Sequence, residues 1–244
     1  MDSAVYEVFF NAEDRHWWFR ARRRIVESVL DQEFHRKDLR IADVGCGTGG
    51  MAGLLSGFGS VTGIDDAPEA AALCARRGLD VLTPEAWHER AEVYDLVTAF
   101  DVVEHTDDDV EFLHGLRRRL TPGGKLVVTV PAYQSLWSVF DDLNHHRRRY
   151  TRGGLRRCLI EAGFRVTRAT YFNVVLLAPI AAGRLWERTG WGRPPGAGEA
   201  LDRWFRVGPL NGPLEAVFAS ERHWLRRGSF PAGCSILAVA RPAG

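Results

Sequence analysis

One decapeptide, Ile41-Ala-Asp-Val-Gly-Cys-Gly-Thr-Gly-Gly50, constrains this chain of 244 residues more than any other feature. The apolar residues before the glycines read as a short buried strand, and Met51, Leu54, Leu55 and Phe58 recur at helical spacing after them. The joint is a strand-to-helix crossing almost free of side chains, where a ligand can rest directly on backbone N–H groups. An acid, Asp43, stands two residues ahead of the turn. A second, Asp65, comes about 20 residues later and closes the next apolar run, where a carboxylate can accept both hydroxyls of a ribose.

From Arg40 onward the pattern alternates. Strands are expected at 41–44, 60–64, 80–83, 94–99 and 124–130, with helices at 50–58, 68–77 and 107–120. Pro68 suits a first helical turn, Gly59 and Gly78 suit helix ends, and Thr121-Pro-Gly-Gly124 has the composition of a turn. Thr151 caps a further helix whose Leu155, Cys158, Leu159 and Ala162 share one face. Two more strands follow, Arg165 to Tyr171 and Cys234 to Ala240. Strands alternating with helices make an α/β chain with a doubly wound, parallel sheet and ligand sites at the carboxyl ends of its strands.

Two segments stand outside this alternation. Residues 1–38 carry Tyr6-Glu-Val-Phe-Phe10 and His16-Trp-Trp-Phe19, continued by Ile25, Val26, Val29 and Leu30 as an amphipathic helix; they read as a helical lid. Residues 173–231, rich in Trp, Pro and Gly, read as a cap inserted before the last strand. The whole is expected to form a single domain over 1–244.

Two ligands suit the glycine turn. As G-x-G-x-x-G, Gly45, Gly47 and Gly50 fit a dinucleotide, which would make the chain an NAD-dependent oxidoreductase. A carboxylate such as Asp43 is unwelcome beside a pyrophosphate and suits a ligand with a cationic end. With Asp43 ahead of Gly45, Gly47 and Gly49, the stretch resembles the first motif of the class I S-adenosylmethionine-dependent methyltransferases. Tyr94-Asp-Leu-Val-Thr-Ala-Phe-Asp-Val-Val-Glu-His105 is similar to the family's fourth-strand motif. Leu120-Thr-Pro-Gly-Gly-Lys-Leu-Val-Val-Thr-Val-Pro131 is similar to its fifth. His146-Arg-Arg-Arg-Tyr-Thr151 and the Trp-rich helix at Glu13 to Phe19 resemble a bacterial small-molecule subgroup.

The resemblance implies a Rossmann-like sheet of seven strands, mostly parallel with an antiparallel last strand, and S-adenosyl-L-methionine as cofactor. It implies that Asp43 and the loop Gly45, Cys46, Gly47 and Gly49 hold the cofactor's amino-acid end, with Asp65 on the ribose and Asp66 beside it. Glu85 and the Ala86 amide would meet the adenine, although Thr83-Pro-Glu-Ala-Trp87 departs from the family's usual acid at that strand end. Phe100 would line the floor, and Trp18 and Arg22 would close over the cofactor from the N-terminal helix. A protein of the same family that binds without catalysis is the other alternative.

Because such a cofactor carries its methyl group already activated, the protein need only bind, align and exclude water. An oxygen acceptor still has to lose a proton, which histidine suits near neutral pH. His146, His145 and His105 are the candidates, and Tyr133, Arg147 and Tyr150 are candidates to hold the acceptor. Arg147 to Arg149 could clamp a carboxylate or phosphate. Asp141, Asp142 and Asn144 offer oxygen ligands that could hold magnesium, as in some catechol-type methyltransferases, but the carboxylates are expected to pair with neighbouring arginines, with no metal site.

The remaining features narrow the class. A formal net charge of +1 argues against a nucleic-acid binder driven by bulk charge. Lys37 and Lys125 are the only lysines, an arginine bias that reads as codon composition. Ala99-Phe-Asp-Val102 replaces the Asn/Asp-Pro-Pro-aromatic signature of enzymes that methylate flipped bases, and no paired glutamates suit a guanidinium substrate. Cys46, Cys74, Cys158 and Cys234 lack metal-ligand spacing and read as core residues of a cytoplasmic protein. Neither a signal peptide nor a run of ~18 uncharged residues is present. Trp186, Trp191 and Trp204 in the cap suit a hydrophobic acceptor or a peripheral membrane contact.

Overall fold

A computed structural model describes residues 3–188 and 205–243. Trp191 and Trp204 lie outside the described residues. The chain opens with α1 (Ser3–Glu13) and α2 (Trp17–Glu33) and then enters the sheet through β1 (Leu39–Val44). There follow α3 (Ala52–Leu55), β2 (Gly59–Ile64), α4 (Pro68–Arg76), β3 (Val81–Leu82), α5 (Pro84–Glu89), β4 (Tyr94–Phe100) and α6 (Asp109–Arg117). The second half holds β5 (Leu120–Pro131), α7 (Val139–Leu143), α8 (Arg152–Glu161), β6 (Phe164–Phe172) and α9 (Leu177–Arg188). It closes with α10 (Asn211–Ala219), α11 (Glu221–Leu225) and β7 (Ser235–Pro242).

The seven strands lie in the order β3-β2-β1-β4-β5-β7-β6. β1, β2, β3, β4 and β5 are mutually parallel, and β7 runs antiparallel between β5 and β6. This is the expected sheet, its last strand reversed. The chain order turns outward in both directions from β1 and β4, a switch point that opens a crevice at their carboxyl ends.

Alternation along the central strands builds two cores. Val97, Leu126, Val128 and Ala238 face one layer, packed under Leu113 and Leu116 of α6 and Leu155 and Leu159 of α8. Leu96, Val127, Leu237 and Val239 face the other, under α2, α10 and α11. Ile25, Val26, Val29 and Leu30 of α2 are fully buried there, each stabilising the fold by about 1.5–3 kcal/mol. The N-terminal extension is therefore also a wall of the main core.

Three local differences from the sequence reading have physical causes. α3 is one turn long, not nine residues, because the glycine turn consumes its start and Gly57 follows its end. Residues 84–89 form a short helix that hydrophobic periodicity does not announce; Thr83 caps it and Pro84 starts it. Thr121-Pro-Gly-Gly124 does interrupt the strand, but as a bulge within β5, since Tyr94 pairs with Leu120 and Leu96 with Lys125.

Candidate functional site

The switch-point crevice is a cavity of about 380 Å3. Its floor is the loop after β1. Gly45, Gly47 and Gly49 all have positive φ (67°, 54° and 76°), a conformation that costs a side-chain-bearing residue about 1–2 kcal/mol. A Cβ on Gly45 would stand 2.4 Å from Val102 Cγ2, so this glycine is fixed by packing as well. Nothing lies within 4 Å of where a Cβ on Gly47 would point, and that space belongs to the cavity.

The loop's own hydrogen bonds modify the expectation that its amides await a ligand. The Gly45 and Cys46 N–H groups donate to Ile64 O (2.7 and 3.2 Å), and Gly49 N–H donates to Cys46 O. Gly47 N–H donates to Asp65 Oδ2 at 2.8 Å, while Asp65 Oδ1 accepts the Ala67 N–H. Asp65 thus ties the end of β2 to the turn after β1. Burial raises its carboxyl above the usual range against those two hydrogen bonds.

Asp43 forms the charged centre of the floor. It is 2% exposed and lines the cavity, with the Thr98 hydroxyl donating to Oδ1 at 2.6 Å. Burial pushes its carboxyl up to about 7, opposed by the Thr98 hydrogen bond and reinforced by the negative fields of Asp65 and Glu13. Glu13, which the sequence reading missed, reaches down from α1 to accept from the Thr48 hydroxyl and pair with Arg77. Only a glycine at position 50 leaves room for its carboxyl.

Trp18, Phe19 and Arg22 of α2 form the side wall with Phe100. Arg22 is already committed: Nη1 lies 2.6 Å from Asp101 Oδ2 and Nη2 donates to Thr129 Oγ1 at 2.7 Å. Its guanidinium sits 5.2 Å from the Trp18 ring. Three residues expected near the ribose and the adenine are not part of the cavity wall. Glu85 and Asp66 are exposed and outside the cavity wall, and the Ala86 N–H is engaged by Thr83 Oγ1 as a helix cap.

The opposite wall carries the ionisable cluster. His105 and His146 both line the cavity with their rings 4.8 Å apart, whereas His145 is exposed and outside it. His146 Nδ1 lies 2.8 Å from Asp141 Oδ1. Asp141 is fully buried, caps α7 through Ser138, and takes a two-pronged contact from Arg149 (2.7 and 2.8 Å). Burial pushes the Asp141 carboxyl up, but the hydrogen bonds from His146 and Arg149 outweigh it and hold the group well below the ordinary carboxylate range. Burial and the neighbouring His146 lower the His105 value.

Glu104 completes this wall. It is fully buried, and neither carboxyl oxygen accepts a hydrogen bond. Desolvation, with Asp101 nearby, raises it well above its ordinary value. Glu104, His105 and His146 offer one ligand atom each within 4.8 Å of one another, close enough to share a cation. No spacing in the sequence suggests that set; β4 and the loop after β5 bring it together.

Three expected acceptor-side residues stand apart from the cavity. Tyr150 is buried in the α6–α8 core and donates to Asp109 Oδ2 at 2.7 Å. Tyr133 stacks on Tyr171 with ring centroids 5.2 Å apart. Arg147 is exposed and pairs with Asp107 at 2.5 Å. Arg149 is the one member of the arginine run that reaches the cavity, and it does so already bound to Asp141. Among the described residues, four non-glycine residues have positive φ: Asp101 (56°), Tyr133 (56°), His145 (56°) and Asn173 (60°). Asp101 and Asn173 directly follow β4 and β6, and Tyr133 follows β5 by two residues.

A glycine-floored crevice at the switch point of a doubly wound sheet, with an acid ending the second strand, defines a Rossmann-like binding fold for nucleoside-containing ligands. The chain belongs to the methyltransferase domain family, whose model matches residues 14–169. It is 30% identical over 161 residues to a ubiquinone biosynthesis O-methyltransferase of Hydrogenovibrio crunogenus, a match covering 58% of this chain and 61% of that protein. The chain therefore spans about three-fifths of that relative. Among solved structures it resembles a SAM dependent methyltransferase from Archaeoglobus fulgidus, with a TM-score of 0.56 and 18% identity over 89% of this chain and 93% of the other. It also resembles the plantazolicin methyltransferase BpumL in complex with SAH, with a TM-score of 0.54 and 17% identity over 97% and 84%. At these identities the two structures speak for the fold. Among the described residues, no helix is long and apolar enough to cross a membrane.

Proposed function

We propose that the chain transfers a methyl group from S-adenosylmethionine to an oxygen of a small molecule, in secondary or lipid and glycan metabolism, in the cytoplasm. The observation that carries this is the shared cavity: Asp43 beside a side-chain-free loop on one wall, His146 held by Asp141 on the other. The residues fit the cofactor. A buried carboxylate suits its cationic end, open space stands over Gly47, and Asp65 closes β2 where a ribose would lie. When bound, the cofactor supplies a methyl group on a positively charged sulfur.

Every other contribution comes from the chain. Asp43 opposes the cofactor's cationic end, and the apolar walls of Trp18, Phe19 and Phe100 exclude water. Asp141 fixes the His146 ring through Nδ1, which leaves Nε2 to accept the acceptor's hydroxyl proton. Arg22 holds Asp101 and Thr129 in place beneath that wall. α1 and α2 act as the lid, and the described residues 173–188 and 205–231 as part of the cap over the acceptor, whose Leu176 and Ile180 suit a hydrophobic molecule.

The test is calorimetric titration with S-adenosylmethionine, its demethylated product and NAD, followed by a search for product formation across acceptor pools. Binding of the first two with turnover is expected. NAD binding in their place would overturn the reading, and cofactor binding with no turnover from any pool would leave a binding protein instead.

A further inference from the structure

Beyond the cavity, the segment 205–228 carries a second surface. It leaves the cavity wall at Phe205, which stacks on Phe19 at 5.5 Å. From Val207 it turns outward. Val207, Leu210, Leu214 and Val217 are between 39% and 65% exposed, and Trp224 is 58% exposed. Leu210, Leu214 and Val217 are spaced i, i+4 and i+7, one face of α10, while Glu215, Phe218 and Ala219 on the other face are buried.

The charge of this segment is sorted with equal sharpness. Both of its acids point inward. Glu215 pairs with Arg20 and Arg24 of α2 at 2.9 and 2.8 Å. Glu221 accepts the backbone N–H groups of Asn173, Val174 and Val175. The arginines that remain, Arg206, Arg222, Arg226 and Arg227, have no acid of their own segment beside them, and three of the four are exposed. An apolar ridge therefore runs beside arginines that no acid of the segment offsets.

We infer that this ridge seats the protein on the surface of an anionic lipid bilayer, with α10 lying in the plane of the interface. Apolar side chains entering the acyl boundary beside arginines at headgroup level are what such a surface binds. A second copy of the chain fits the same ridge less well: a two-fold contact would set arginine against arginine with no acid to compensate. The position of the ridge has a consequence that rests on the proposed methyl transfer. Val207 is two residues from Phe205 in the cavity wall, so the ridge begins close to the cavity, as suits an acceptor with a hydrocarbon tail.

The experiment is co-sedimentation of the full chain with phosphatidylcholine vesicles and with vesicles containing phosphatidylglycerol. Binding to the anionic vesicles at least about tenfold tighter than to neutral ones is expected, weakening with salt. The double variant Leu210→Glu, Leu214→Glu should lose at least about tenfold in that binding while its thermal melt and its calorimetric affinity for S-adenosylmethionine stay unchanged. Absence of wild-type binding, equal binding to neutral vesicles, undiminished binding by the variant, or a wild-type dimer in light scattering that the variant dissolves would each overturn the inference. Cofactor affinity is read separately, so failure of the membrane surface is distinguishable from failure of the methyl-transfer reading.

Discussion

Glu104 Oε1 lies 4.0 Å from His146 Nε2, on the side of the ring opposite the nitrogen that Asp141 Oδ1 holds at 2.8 Å. An oxygen beside both groups would meet His146 Nε2 and the Glu104 carboxyl together. On this geometry we propose His146 as the base, ahead of His105 and His145. His146→Ala should keep its affinity for S-adenosylmethionine and lose about 10²–10⁴-fold in turnover. Undiminished turnover in single-turnover assays would remove it from the mechanism.

Asp43 links pH to both stability and binding. Its folded-state carboxyl is raised to about 7, against about 3.9 in an unfolded chain. The native state therefore holds the proton more tightly, and Asp43's contribution to stability is greatest below about pH 4 and is lost as pH rises through about 7. Asp43→Asn cannot ionise, so its melting temperature should gain on that of wild type between pH 4 and pH 8. A gap independent of pH would count against the buried acid. Cofactor affinity should rise with pH in wild type and be lost in Asp43→Ala.

Asp141 carries the opposite linkage. With its carboxyl held low by His146 and Arg149, its contribution is present above the unfolded value of about 3.9 and is lost as pH falls toward the lower folded value. Asp141→Asn strands Arg149 and should cost about 3–5 kcal/mol at pH 7, the usual price of breaking a buried pair. Urea unfolding at pH 7 and pH 3 measures this, and the difference between variant and wild type should shrink at the lower pH.

Two glycines of the same turn separate strain from occupancy. Gly45→Ala forces a Cβ into Val102 on top of an unfavourable φ, and overpacking of this kind costs about 1–3 kcal/mol. Gly47→Ala meets only open space and should cost about 1–2 kcal/mol from backbone conformation alone. Cofactor affinity should fall further in Gly47→Ala than its small loss of stability explains. Equal urea midpoints with equal affinities would contradict the placement of the loop.

The order of elements could be read from the sequence because β1, β4, β5 and β7 are compact apolar runs bounded by turn residues and the glycine turn is unambiguous. The antiparallel direction of β7 came from family resemblance, since periodicity carries no direction. α5 escaped notice because six residues are too few to show a 3.6 period. At the site, Asp43 and His146 stood out through position and residue type. Arg149 stood out as part of the run Arg147 to Arg149, and its pairing with Asp141 is the arginine–carboxylate contact expected there. Glu13 did not, because its contact across 35 residues to Thr48 depends on how α1 folds back. Position in the chain does not show that Tyr133, Arg147 and Tyr150 turn away from the cavity their neighbours reach.

The positive φ angles at Asp101, Tyr133 and Asn173, with that of His145, place strained backbone, among the described residues, at the ends of β4, β5 and β6 and in the loop before α8. Residues in such conformations cost about 1–3 kcal/mol each and persist because their surroundings overdetermine them. A search for thermostable variants would therefore find some of its largest gains at these four positions. Under the proposed methyl transfer, those same gains would loosen the frame proposed to select the acceptor, so hardening the protein and broadening its diet are expected to go together.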